Sequence, residues 1–180
     1  MGERIEGPDG ASAVLSEDGT YRYRLTRRVS DRPDPYRLVF VMLNPSTADA
    51  FTDDATIRRC VGYAKRRGFD ELEVVNLYAY RATDPDDLRR AHASGVDVVG
   101  PENLAYVDES LRRGFVAAAW GNNAATCPPT PVSLLLASWS QTIWCLGTTA
   151  AGQPRHPSRG PYRRWERWTP LSVTPPGPAT

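Results

Sequence analysis

Lysine is nearly absent. Lys65 is the only one among 22 basic residues, and the rest are arginine. Arginine makes bidentate contacts to phosphates and base edges, whereas lysine offers a point charge. Cysteine is scarce and odd in number: Cys60, Cys127 and Cys145 have no CxxC spacing. That excludes a disulfide framework and a cysteine zinc site, and it points to a reducing, cytoplasmic setting. No apolar run approaches the ~18 residues of a membrane span. The opening MGERIEGPDG is polar and acidic, so no signal peptide is expected there. The formal net charge is only +1, so no global field advertises a polyanionic partner. No GxGxxG follows a strand, and neither GxxxxGK[ST] nor GxSxG occurs. Dinucleotide oxidoreductases, P-loop NTPases and α/β-hydrolases are therefore disfavoured.

What is present is a globular balance, 41% hydrophobic and 24% charged over 180 residues. One domain over residues 1–171 is expected, and a monomer. Residues 172–180 read as a frayed tail, with four Pro or Gly among them. Residues 11–28 read as an N-terminal β-hairpin: Ser16-Glu17-Asp18-Gly19 supplies the turn, and Tyr21, Tyr23 and Leu25 alternate with Arg22, Arg24 and Thr26. Leu38–Leu43, Leu72–Ala79, Phe115–Trp120 and Thr142–Leu146 are apolar runs, the pattern of strands buried on both faces. Between them, Ile57, Cys60, Val61 and Ala64 fall at helical spacing, with Asp53 or Asp54 as cap and Gly68 as stop. Further helices are expected after Asp84-Pro85, after Gly100-Pro101 (with Leu104, Val107 and Leu111 inward), and over 131–139. Strands alternating with helices predict an α/β fold: a three-layer α/β/α sandwich around a mainly parallel four-stranded sheet, plus the hairpin.

Such sheets bind ligands at the carboxyl ends of their strands. Here those ends carry Asn44-Pro45-Ser46, Asn76, Gly121-Asn122 and Gly147-Thr148-Thr149. Asn44, directly after six apolar residues, can hold a water or read a base edge; Asn-Pro-Ser is equally a turn signal. Asn76 interrupts a core strand, and a buried amide must have its hydrogen bonds met. His156, between prolines, can donate to an anionic leaving group; His92 looks bland. Asp49, Asp53 and Asp54 suit a helix N-terminus, a general base or Mg²⁺. No companion carboxylates flank the other strand ends, so no metal is expected. The final segment interleaves Arg155, Arg159, Arg163, Arg164 and Arg167 with Tyr162, Trp165 and Trp168, a combination suited to phosphates and unstacked bases.

The strings VMLNPSTADA, DDATIRRCVGYAKRRGF, LEVVNLYAYRATDPDDL, VAAAWG and CLGTTAAGQPRHPS resemble the bacterial DUF1643 family, a domain of unknown function. More remotely, the motif order is similar to the uracil-DNA glycosylase superfamily. There a catalytic loop follows the first strand, as Leu43-Asn44-Pro45-Ser46 does here. A later strand carries a base-reading Asn, as at Asn76. A third strand ends in Trp-Gly, as at Trp120-Gly121, and a last loop carries His-Pro-Ser, as at His156-Pro157-Ser158.

The resemblance implies N-glycosidic cleavage of a nucleotide or nucleic acid without a cofactor. Asn44, His156 and Asp49 would be catalytic. Pro45, Ser46, Phe51, Asn76, Tyr78, Trp120, Asn122 and Ser158 would hold the base, with Phe51 stacking on it. Arg155, Arg159 and Arg163 would take phosphates. Two other expectations stay open: a binding module that has lost hydrolysis, and a Mg²⁺-dependent phosphohydrolase built on Asp49, Asp53 and Asp54.

Overall fold

A computed structural model describes residues 2–127, 129–158 and 160–169. The expected tail at 172–180 and Arg159 lie outside the described residues. One sheet of eight strands organises the chain: β1 (Glu3–Glu6), β2 (Ser12–Leu15), β3 (Arg22–Arg28), β4 (Arg37–Met42), β5 (Glu71–Asn76), β6 (Phe115–Ala118), β7 (Ile143–Cys145) and β8 (Glu166–Trp168). Their order across the sheet is β1-β2-β3-β5-β4-β6-β7-β8.

The expectation of a mainly parallel four-stranded sheet is corrected by this count. Of the seven pairings, β1–β2, β2–β3, β3–β5 and β7–β8 are antiparallel, and β4–β5, β4–β6 and β6–β7 are parallel. The four apolar runs do form the parallel set. Sequence reading missed β1 and β8 because they are edge strands of mostly exposed, charged residues, with no apolar run to mark them.

Helices cover both faces. On one face α1 (Ala55–Arg66) buries Ile57, Cys60, Tyr63 and Ala64 against Leu38, Phe40, Met42, Leu72 and Val74. Asp54 caps it by accepting a 2.8 Å bond from the Ile57 amide, and Gly68 takes the left-handed conformation just past its end. On the other face α2 (Pro85–Ala93), α3 (Asn103–Leu111) and α4 (Pro131–Ala137) meet Val39, Val41, Val75, Val116 and Ala118. Alternate residues of the central strands thus feed opposite cores, which is why those strands read as unbroken apolar runs. Leu104 is a correction: it is 42% exposed, because the buried stripe of α3 runs through Asn103, Val107, Ser110 and Leu111.

The hairpin contains a β-bulge. Leu15 pairs with Arg22 and Val14 with Arg24, so Tyr23 is the extra residue. Tyr23 and Arg24 both turn toward α3: Tyr23 stacks on Tyr106, and Arg24 reaches Glu109. Arg22 is thereby thrown onto the α1 face with Leu25 and Arg27, and only 2% of it stays exposed.

Candidate functional site

On the α1 face, at the carboxyl ends of β5 and β4, several polar groups lie buried without protein partners. Asn76 is 1% exposed, and neither its Nδ2 nor its Oδ1 has a hydrogen-bond partner. Its main chain is firmly held: Asn103 Nδ2 donates to the carbonyls of Asn76 and Leu77 at 3.0 and 3.3 Å. A buried amide lacking both partners costs on the order of 1–3 kcal/mol.

Arg22, across the β3–β5 pairing, donates through one terminal nitrogen to the Ala48 carbonyl at 2.6 Å, while its Nε is bare. Burial lowers its pKa to about 10, so it stays charged at neutral pH. Asp54 and Asp49 lie within electrostatic reach, but no carboxylate among the described residues stands at ion-pair distance. Arg81, half-buried nearby, has its Nε bare as well and donates to the Gly19 carbonyl at 3.2 Å.

The sequence-predicted residues divide into three groups. The first comprises the loop after β4. Asn44 Nδ2 donates to the carbonyls of Pro45 and Ala82 at 3.0 and 2.7 Å. Both amide protons therefore hold the loop, and Oδ1 is left as the acceptor. Pro45 is buried and Ser46 half-buried in the same loop. Asp49 Oδ1 accepts from the amides of Phe51 and Thr52, and chiefly the Phe51 bond holds its pKa below the usual carboxylate range. Phe51 itself is 66% exposed. Asp53 accepts from Arg27 Nε at 2.7 Å, and Asp54 caps α1. The three carboxylates are thus engaged separately. Among the described residues no group of three His, Cys, Asp or Glu side chains is arranged to hold a metal ion.

The second group lies on the loop after β7, with Asn122 contributed from the turn after β6. Its position is fixed by the Gly121 amide, which donates to the Pro154 carbonyl at 2.8 Å. Gly121 has φ +73°, and a Cβ there would crowd the His156 Cβ at 3.3 Å. The His156 imidazole keeps an exposed edge, yet the protein around it removes enough water to lower its pKa, while the charge of Asp54 opposes that shift. Its Nδ1 accepts from the Ser158 amide at 3.3 Å. That bond assigns the proton to Nε2, leaving a neutral N–H donor. Asn122 accepts from the Thr149 hydroxyl at the surface. Arg155 is half-buried. Arg163 is exposed, with its amide bonded to Tyr63 Oη at 3.0 Å.

The third group is separate. Tyr78 and Trp120 line a cavity of about 250 Å³ on the opposite face of the sheet, with Cys127, Gln153 and Trp168.

The arginines are sorted by position. Apart from Arg22, those on β3, β4 and α2 and at the end of α3 have carboxylate partners, among them Arg24, Arg27, Arg37, Arg89 and Arg112. Arg58, Arg59, Lys65 and Arg66 on α1, Arg67 at its end, and Arg155, Arg163 and Arg164 beyond β7 have none among the described residues. The two stretches form one surface. Tyr162 lies between the guanidinium groups of Arg59 and Arg66, 4.1 and 4.2 Å from its ring centre. Gly62 permits this, since a Cβ there would overlap the Tyr162 hydroxyl. Cys60 and Cys145 are buried, and burial pushes both thiols up, so they are core residues rather than nucleophiles.

The model of a protein family of unknown function, DUF1643, matches residues 22–158. The chain belongs to the DUF1643 family. The DUF1643 match starts at Arg22 and ends at Ser158, so both the bare amide of Asn76 and the His156 loop fall inside it. No curated protein and no solved structure matches the chain, and nothing in these comparisons points to uracil-DNA glycosylases.

Sequence reading missed Arg22, Arg81, Asn103, Gln153 and the placement of Trp168. Arg22 carried no signal, because a hairpin without a bulge would turn it away from the α1 face.

Proposed function

We propose that this protein recognises a nucleobase in a nucleotide or nucleic acid and hydrolyses the bond between base and sugar. The observation that carries the reading is the Asn76 amide. It is buried at the carboxyl end of a central strand with donor and acceptor both free. An amide in that state matches a base edge presenting one acceptor and one donor side by side. Three further observations support it. His156 offers a neutral Nε2–H, suited to an oxygen that gains negative charge. Arg22 supplies a buried cation on the same face as Asn76. The unpaired cations of α1 and the 155–164 segment suit the phosphates that accompany a base.

In this reading the bond from the sugar carbon to the base nitrogen breaks, and its electron pair leaves with the base. His156 and Arg22 stabilise the anion, an electrostatic contribution worth roughly 10²–10³ in rate per donor. Water adds its hydroxyl to the sugar carbon, and its proton ends on the departing base. Asn44 Oδ1 is the acceptor available to hold that water. Asp49, tied to two backbone amides, orders the loop and does not act as general base.

A second reading, recognition without hydrolysis, is favoured by that same engagement of Asp49. The two are separated by incubating the protein with single-stranded and duplex DNA, RNA and free nucleotides carrying normal and modified bases. Free base is then sought by mass spectrometry. Release that is lost in Asn76→Ala supports hydrolysis. Saturable binding of a base-containing ligand without release supports the second reading. Neither binding nor release overturns both.

A further inference from the structure

A cavity lies on the opposite face of the sheet from Asn76. Its walls are Leu77, Tyr78, Trp120, Leu134, Ala137 and Trp168, and Trp120 meets Trp168 edge to face with ring centres 4.8 Å apart. Among the described residues no Asp, Glu, Lys, Arg or His lines it. Burial raises the Tyr78 pKa far above its ordinary value, so the phenol is neutral. The polar atoms around the space are mostly engaged. Thr130 and Ser133 close the capping box of α4 on each other. Trp120 Nε1 donates to Gln153 Oε1 at 2.9 Å. One donor is left: Trp168 Nε1, which is buried and has no partner.

We infer that this cavity is a second binding site, for a small neutral planar heteroaromatic ring that presents hydrogen-bond acceptors. Three aromatic walls favour a flat ring by stacked and edge-on contact. The absence of any charged side chain excludes phosphates and carboxylates from the space, since an unpaired charge there would be strongly disfavoured. The free Trp168 N–H selects a ring nitrogen or carbonyl oxygen as its partner. A volume near 250 Å³ accommodates one or two fused rings and not a nucleotide with its sugar and phosphate. The site stands apart from the nucleobase reading, because it shares no side chain with the Asn76 face. The two are joined through the backbone from Asn76 to Tyr78 and through the loop that carries Gln153 and His156.

The probe is benzimidazole, with indole as its shape-matched control: benzimidazole has a ring-nitrogen acceptor and indole has none. Nitrogen–proton NMR follows the five indole N–H signals, and the Trp168 signal is assigned by its loss in Trp168→Phe. Benzimidazole is expected to shift the Trp168 Nε1–H resonance saturably. Indole is expected to bind roughly five- to tenfold more weakly, as loss of one hydrogen bond implies. Ala137→Leu, at an exposed position of α4, keeps every donor and fills part of the space, so it is expected to weaken binding as well. It also keeps the test decisive should Trp168→Phe fail to fold. Asn76→Ala is expected to leave benzimidazole affinity unchanged, which separates this site from the other. No saturable shift up to the solubility limit, equal affinity for indole, or loss of binding in Asn76→Ala would overturn the inference.

Discussion

Arg22 and Asn76 stand on paired strands, on the same face of the sheet, each at most 2% exposed and each with side-chain nitrogen left bare. Folding alone does not reward that arrangement. A buried guanidinium without a contact carboxylate and a buried amide without partners both cost free energy, and apolar residues of similar size would not. The pair is a place where stability is given up, which is the usual mark of a binding site.

Replacing Asn76 with leucine therefore separates stability from function. Asn76→Leu keeps the volume and removes two unsatisfied atoms. Its denaturant midpoint is expected to rise, by about 1 kcal/mol in unfolding free energy. Base release or ligand binding is expected to fall at least a hundredfold. A destabilised Asn76→Leu would show that the amide has a structural partner after all.

His156 gives a pH signature. Its folded-state pKa lies below the ordinary value of 6.5, so as pH falls through that value the unfolded chain takes up a proton that the folded chain does not. Stability is thus expected to decline below pH ~6.5 until the depressed folded pKa is reached, and His156→Asn is expected to remove that decline. Urea melts of both proteins on either side of pH 6.5 test this. Parallel curves would contradict it.

Asp54 has two roles that one substitution uncouples. Asp54→Asn keeps a capping side chain for α1 but removes the charge near His156 and Arg22, and a cap-deleting Asp54→Ala costs about 1 kcal/mol. Because the carboxylate raises the His156 pKa, Asp54→Asn is expected to lower it further in an NMR titration while stability changes little. An unmoved or raised His156 pKa would count against the proximity.

The unpaired cations predict salt dependence. Affinity for a single-stranded oligonucleotide is expected to fall steeply with salt, with a log–log slope of about −0.7 per phosphate engaged. Lys65→Gln, Arg163→Gln and Arg164→Gln together are expected to flatten that slope while leaving the affinity for a free nucleoside unchanged. Fluorescence anisotropy across a salt series measures both.

Much of this fold was legible because its central strands are buried on both faces and so read as unbroken apolar runs. Asn76 was legible for the same reason, as the one amide in such a run. The start of α1 was narrowed to Asp53 or Asp54, of which Asp54 is the cap, and the Asp84-Pro85 start of α2 was legible too. The edge strands β1 and β8 were not legible, because an exposed charged strand looks like a loop until a neighbour pairs with it. Arg22 was hidden by the bulge at Tyr23, a one-residue shift of register that reverses which face a side chain meets. The three-aromatic cavity was hidden too: Tyr78 and Trp120 were visible as candidates, but their meeting with Trp168 depends on β8 pairing to β7.

The most direct measurement is made on the Asn76 side chain itself. Its amide proton pair is assigned in a nitrogen–proton NMR spectrum by its absence in Asn76→Leu. The protein is then titrated with nucleosides and nucleotides of each natural base. A saturable shift of that pair by a base-containing ligand, with no shift by ribose 5-phosphate, is the predicted result. If the pair stays unmoved by all of them, or moves equally with ribose 5-phosphate, Asn76 does not read a base.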